Sequence, residues 1–340
     1  MATSRNYGVL SCFACKMFFY RSSKNNLIYK CRNINQCFQN YNSPIKCRAC
    51  RFRKCQKVGM KLLTLKTSLP DLDNDLNILF ADLEIRDSSN HSIFLNFYSM
   101  EDPSLVDVLN NANTMHLIKR TPEVRSDTQE WSLMLSFSKI SYFMSFTFIN
   151  ELSLADKLIL FTANILRTGT MARAMKSVLE KRSILIFPNE ENIFPVEMNT
   201  MFENSDVLVH QIALRIVAKF AELRMDRREY LLLKMIDFCN SAISDKLSYH
   251  AKNILSFHQK VYSSALLQHC QFTNSRTAPT RFTELLSVFN TIHKTVNNMR
   301  FSCMMVQCFV PNFKFKKLMR EVYFNDWKEK GNTVALEKLL

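Results

Sequence analysis

The chain has 340 residues and carries 45 Lys or Arg against 30 Asp or Glu, a net charge of +15. Its four glycines leave no room for a GxGxxG or Walker phosphate loop, and GxSxG and HExxH are both absent, so nucleotide-binding enzyme folds and the common hydrolases are excluded and no enzyme is expected. Met1 to Tyr7 is polar and no apolar run reaches the roughly eighteen residues that a membrane span needs, so a soluble, intracellular chain of two domains is the expectation.

The charge is concentrated at one end. Residues 1 to 60 contain twelve Lys or Arg and no Asp or Glu. Interleaved with aromatics and cysteines, such a block points to a polyanion partner, nucleic acid above all. Seven of the eleven cysteines fall between Cys12 and Cys55. In a reducing compartment clustered thiols are metal ligands more often than disulfides. The run Cys31-x5-Cys37-x9-Cys47-x2-Cys50 supplies the four thiolates of a closed tetrahedral Zn2+ site. Cys12-x2-Cys15 is a second half-site with no CxxC between it and Met1, and Cys55 is expected to be a small buried side chain.

The stretches YGVLSCFACKMFFYRS, CRNINQC and KCRACRFRKCQKVGM together resemble the two-zinc DNA-binding module of the nuclear hormone receptors, and among them the divergent receptors expanded in nematodes. The resemblance covers residues 2 to 60. It implies a first zinc site completed by a CxxC pair before Tyr7, so that the first finger of residues 1–60 is truncated. It also implies a recognition helix following Cys12. Lys16, Met17 and Arg21 would then face base edges in the major groove of double-stranded DNA, with Phe18 and Phe19 packed beneath. Arg48, Arg51, Arg53 and Lys54 would orient the module on phosphates. Phe13, Ala14 and Tyr20 depart from the better-known receptors at positions tied to half-site choice.

Residues 61–74 lose the basic and cysteine character, contain Pro70 and are expected to be the hinge. From residue 75 to 327 the pattern is helical, with apolar residues at three and four spacing and long proline-free stretches, which predicts an all-α domain followed by a tail over 328–340. The expected fold class is thus a small zinc module with four-cysteine sites, the first of them incomplete, and an all-α ligand-binding domain of the nuclear receptor type. Phe143, Met144, Phe146 and Phe148 on one predicted helix, with Met171 and Met175 on another, are candidate lining for a small apolar ligand.

INELSLADKLILF, from Ile149 to Phe161, resembles the receptor signature joining the third to fifth helices. Locally, Ser153 and Asp156 can cap an apolar helix while Ile149, Leu152, Leu158 and Leu160 anchor it. EYLLLKMIDFCN, from Glu229 to Asn240, resembles the middle of the divergent receptor domains. Leu285, Phe289, Ile292, Val296, Met299, Cys303, Val306 and Val310 form one seam. It corresponds to the family's penultimate helix, a frequent interface for a homodimer or heterodimer.

Leu318, Met319, Glu321, Val322 and Tyr323 match the family's activation helix. By that resemblance the apolar side chains close the ligand pocket and a cofactor groove, and Glu321 caps the N-terminus of a short helix from a transcriptional coregulator. The family holds the other end of the groove with a Lys; Met144 aligns there and Lys139 is the nearest candidate. The implied function is a ligand-regulated, sequence-specific transcription factor in the nucleus. The alternative is a receptor-derived protein that no longer binds DNA and acts by dimerisation or cofactor capture.

Overall fold

The computed structural model describes residues 4–6, 9–24, 27, 29–31, 37, 47–60, 69–111, 114–190, 192–194, 198, 205–310 and 312–324. It divides into two compact units, Met1–Asp75 and Leu76–Leu340. The tail over 328–340 and most of the predicted hinge lie outside the described residues.

In the first unit β1 (Ser4–Asn6) pairs antiparallel with β2 (Val9–Ser11), Arg5 opposite Leu10, and leads into α1 (Phe13–Lys24). The second helix, α2 (Arg48–Lys57), packs on α1. Phe19, Cys55 and Met60 are buried together with Val9 and Phe52 packed around them. Among the described residues this core is small, and small modules of this kind usually require a metal. Gly59 ends α2 at φ +92, the left-handed conformation in which glycine costs least, and the Met60 N–H donates back to the Cys55 carbonyl at 2.9 Å.

Helix α3 (Leu69–Asn96) begins inside the predicted hinge and enters the second unit at Leu76, and that unit also contains α4 (Leu105–Asn110), α5 (Thr128–Met144) and α6 (Leu154–Leu179). It continues through α7 (Ser205–Glu222), α8 (Arg227–Phe238), α9 (Tyr249–Thr273), α10 (Ala278–Leu286), α11 (Val288–Phe309) and α12 (Lys317–Phe324). Its one small sheet among the described residues pairs β3 (Phe97–Tyr98) with β4 (Ile118–Lys119) and closes the base of the loop that contains α4. None of the described helices is long and apolar enough to cross a membrane.

Helix α8 is the centre of the unit. Every residue from Glu229 to Phe238 is buried, including the charged Glu229, Lys234 and Asp237. Each of these charges has a partner, as burial demands. Asp237 accepts from Arg167 at 2.9 and 2.5 Å, Lys234 donates to Asp87 at 2.6 Å and lies 3.7 Å from the Tyr142 ring centroid, and Glu229 takes Arg281 at 2.7 and 2.6 Å.

The signature stretch is architectural. Ser153 caps α6 by accepting from the Asp156 N–H at 3.1 Å. Asp156 does not cap its own helix; it accepts from the backbone and hydroxyl of Ser248 at 2.8 and 2.9 Å, tying the start of α6 to that of α9. Ile149, Leu152 and Leu160 are buried, and Leu158 is partly so. The predicted seam is also present, with Leu285, Ile292, Val296, Met299, Cys303 and Val306 buried, but the helix is interrupted at Ser287. After that break Val288, not Phe289, points fully inward.

Candidate functional site: the zinc module and the terminal helix

The thiols of Cys31, Cys37, Cys47 and Cys50 all lie within 4.8 Å of one another. Cys31 Sγ is 3.6 Å from Cys37 Sγ and 3.5 Å from Cys50 Sγ. A tetrahedron with Zn–S bonds of about 2.3 Å has sulfur–sulfur edges of about 3.8 Å, so the four donors fit Zn2+ with little adjustment. Without a cation the thiolate form is disfavoured here, because the neighbouring Cys31 thiol and burial push the Cys37 thiol up to about 12. A metal reverses that by stabilising the thiolates.

Cys12 and Cys15 do not join a third ligand among the described residues. Cys15 Sγ accepts from Arg51 Nη2 at 3.7 Å, and Cys55 is buried beside it, its thiol pushed up to about 11 by desolvation.

The same contact changes the role expected of Arg51. Its guanidinium lies 4.6 Å from the Phe18 ring centroid, so it is tied inward between α1 and α2. Arg48, Arg53 and Lys54 are exposed, as is Arg21 on α1, while Lys16 and Met17 are half-buried. Phe18 and Phe19 pack on Phe52 under the helix, at 6.5 and 5.6 Å between ring centroids. An amphipathic α1 with Phe19 inward and Arg21 outward follows from helical spacing.

In the second unit α12 lies against α4, α5, α6 and α11 with Leu318, Met319 and Val322 buried. Two carboxylates fasten it to the loop that carries α4. Asp102 Oδ1 accepts from the Lys317 N–H at 2.6 Å, capping the first turn of α12. Glu321 Oε2 accepts from the Leu105 N–H at 2.5 Å, capping the first turn of α4. Each helix thus receives an anion at its positive end from the other's segment. Leu105, Val108 and Leu109, one face of α4, are buried against α5, α6 and α12.

Among the described residues the space beside α12 is small and lies away from the predicted lining. It sits between α5, α6, α11 and α12 as two cavities of about 30 and 10 Å3, with Ser132, Met299 and Tyr323 lining both. Water occupies about 30 Å3 in the liquid, so neither holds a lipophilic molecule. Phe143, Met144, Phe146 and Met171 line neither cavity, and Met175 instead lines a separate, open cleft of about 210 Å3 beside His91, Lys139 and Tyr230. Phe143 packs against Phe161 and Phe238, Phe146 lies under the Arg86 guanidinium, and Phe148 stacks on His258. Helix geometry supplies the reason: Phe143 shares an azimuth with Ser132 but sits eleven residues, about 16 Å, further along α5.

Lys139 is likewise turned inward. It is 5% exposed. Burial and the neighbouring Lys234 pull its ammonium down to about 8, against the attraction of Asp87. It belongs to the buried charge cluster over α8 and holds no groove end.

Each unit contains the match to one family model. Residues 1–62 match the double treble clef zinc finger of C4 type, and residues 119–309 match the ligand-binding domain of nuclear hormone receptor. Nuclear hormone receptor family member nhr-268 of Caenorhabditis elegans is 46% identical over 326 residues, covering 95% of this chain and 96% of the relative. The chain belongs to the nuclear hormone receptor family. Receptors nhr-197 and nhr-52 of the same organism are 44% and 42% identical over 328 and 325 residues, covering 95% and 94% of this chain and 96% of each relative. The receptor therefore combines a DNA-binding domain with a ligand-binding domain, the make-up of a transcription factor. Cys31, Cys37, Cys47 and Cys50 form the four-cysteine site of that zinc finger.

Sequence reasoning missed Asp102 and Leu105. A Ser-x-x-Asp capping box at Ser104 and Asp107 marks the start of α4, but nothing in it indicates that Glu321, more than two hundred residues away, completes the cap.

Proposed function

We propose that the receptor is a zinc-dependent, sequence-specific DNA-binding transcription regulator in the nucleus, and that its output is set by exchange of α4 for a coregulator helix on the face of α12. Arg21, Arg48, Arg53 and Lys54 form the DNA-facing set, with Lys16 and Met17 at the base edges, and Arg51 holds α1 to α2.

The observation that carries the regulatory part is the bond from the Leu105 N–H to Glu321. A carboxylate capping one helix N-terminus is not available to cap another in the same way. Helix α4 presents Leu105-x-x-Val108-Leu109, a short amphipathic face of the kind that fits a helix-binding groove. It thereby stands in for a partner helix. Control by a ligand inside the bundle is not favoured in this state, since Met319 and Tyr323 of α12 themselves line the small interior cavities. Phe301, Met304 and Phe309 on the outer side of α11 are exposed and offer an apolar surface for a second receptor subunit.

The test uses the whole chain loaded with zinc. Duplex DNA affinity is expected to fall steeply with salt, and a protein with one zinc on its four thiolates but no salt-sensitive affinity overturns the DNA-binding part. A synthetic peptide of residues 102–111 is then titrated against wild type and Asp102→Ala. Asp102 is exposed, so its removal loosens the α4 loop without emptying the core. The variant should bind the peptide several-fold more tightly; equal binding overturns the exchange.

A further inference from the structure

A further cavity lies outside the packed interior, between α6, the loop joining α8 to α9, and α11, with a volume of about 240 Å3. Its polar lining is cationic: Arg167, Lys246 and Arg300 face it, His293 and Asn297 stand at its rim, and no Asp or Glu among the described residues lines it. Arg167 is already matched by Asp237. Arg300 is not. Among the described residues it makes no ion pair, and Nη2 donates only to the carbonyls of Thr162 at 3.2 Å and Val322 at 3.5 Å.

Two buried polar atoms at this cavity lack any partner, Arg300 Nε and Thr162 Oγ1. A half-buried guanidinium without a counter-ion is costly, as is a buried donor left without an acceptor. Burial and the neighbouring Arg167 both disfavour the charge on Arg300, so the protein itself does not provide what this group needs. The remaining wall is apolar, built by Ile159, Ala163, Ile243 and Val296. A cationic floor and an apolar wall together select a molecule with one anionic end and a short hydrocarbon body. The volume is below the roughly 300–1,000 Å3 of drug-sized sites, so the body is short.

We propose that this cavity is a binding site for a small amphipathic carboxylate, its head bound by Arg300 and Lys246, and its chain along Ile159 and Val296. The site is distinct from the apolar interior. It is also coupled to α12, because the guanidinium that would take the carboxylate donates to the Val322 carbonyl in that helix. Binding does not depend on the transcriptional reading above, and its test uses no reporter.

Octanoate is the probe, with 1-octanol as the uncharged control of equal length and inorganic phosphate as the anion without a chain. Isothermal titration of the full chain should give saturable octanoate binding at one site, with octanol and phosphate each at least tenfold weaker. Lys246→Glu, an exposed position, should weaken octanoate roughly tenfold, the scale of one charge-assisted hydrogen bond, without changing the unliganded Tm. Arg300→Gln should abolish binding, and hydrogen exchange at the α12 amides should slow when octanoate is added to wild type. Octanol binding as tightly as octanoate, phosphate binding as tightly, or Lys246→Glu binding octanoate unchanged would each overturn the proposal.

Discussion

Glu321 Oε2 and the Leu105 N–H, 216 positions apart in the chain, meet at 2.5 Å across the junction of α12 and α4. The contact is charge-assisted and lies at the first turn of a six-residue helix that has no other length-derived stability. Glu321→Ala should therefore cost about 1 kcal/mol of α4 anchoring. Hydrogen exchange at residues 105–110 should speed about fivefold while α8 amides remain unchanged. Exchange at α4 no faster than in wild type would contradict the clasp.

Arg51 and Arg53 separate two roles within one basic run. Arg53 is exposed, so Arg53→Ala should reduce the slope of log affinity against log salt by about 0.9 on duplex DNA, one phosphate contact, with the module still folded. Arg51 is bound to Cys15 and Phe18, so Arg51→Ala should lower the thermal stability of residues 1–60 as well as DNA affinity. Circular dichroism of the two variants beside their salt titrations distinguishes them; equal stability would return Arg51 to the phosphate-contacting set.

Asp237→Ala leaves Arg167 buried without its carboxylate, under a helix where every neighbour is packed. The expected loss is roughly 3–5 kcal/mol, the usual penalty for orphaning one partner of a buried pair. Urea unfolding of the helical domain reads it directly, and a loss below about 1 kcal/mol would mean that water reaches Arg167 through the neighbouring cavity.

His91 contributes a pH dependence of definite sign. Burial, then Lys176 and Lys139, hold its imidazole down to about 4, against about 6.5 in an unfolded chain. Between those values the unfolded chain binds the extra proton, so stability should fall as pH drops from about 6.5 toward 4. His91→Gln should flatten that part of the stability–pH curve. An unaltered slope in the variant would assign the dependence to other groups.

The classes of the two domains, the four zinc ligands, the serine cap of α6 and the apolar seam of α11 are all legible in the amino-acid order. Each is written in local spacing, whether the cysteine intervals, the serine ahead of an apolar helix or the three–four repeat. The same reading places Glu321 on a terminal amphipathic helix. It does not reveal which surface each helix meets. Phe143 and Lys139 look like lining and clamp in a linear pattern, yet Phe143 lies too far along α5 and Lys139 faces the charges over α8. That Arg51 turns inward, that Glu321 caps α4, and that Arg300 lines an outer cavity emerge from the packed fold alone. Those outcomes depend on contacts between residues tens to hundreds of positions apart, and periodicity within one element gives the direction of a side chain but not its neighbour.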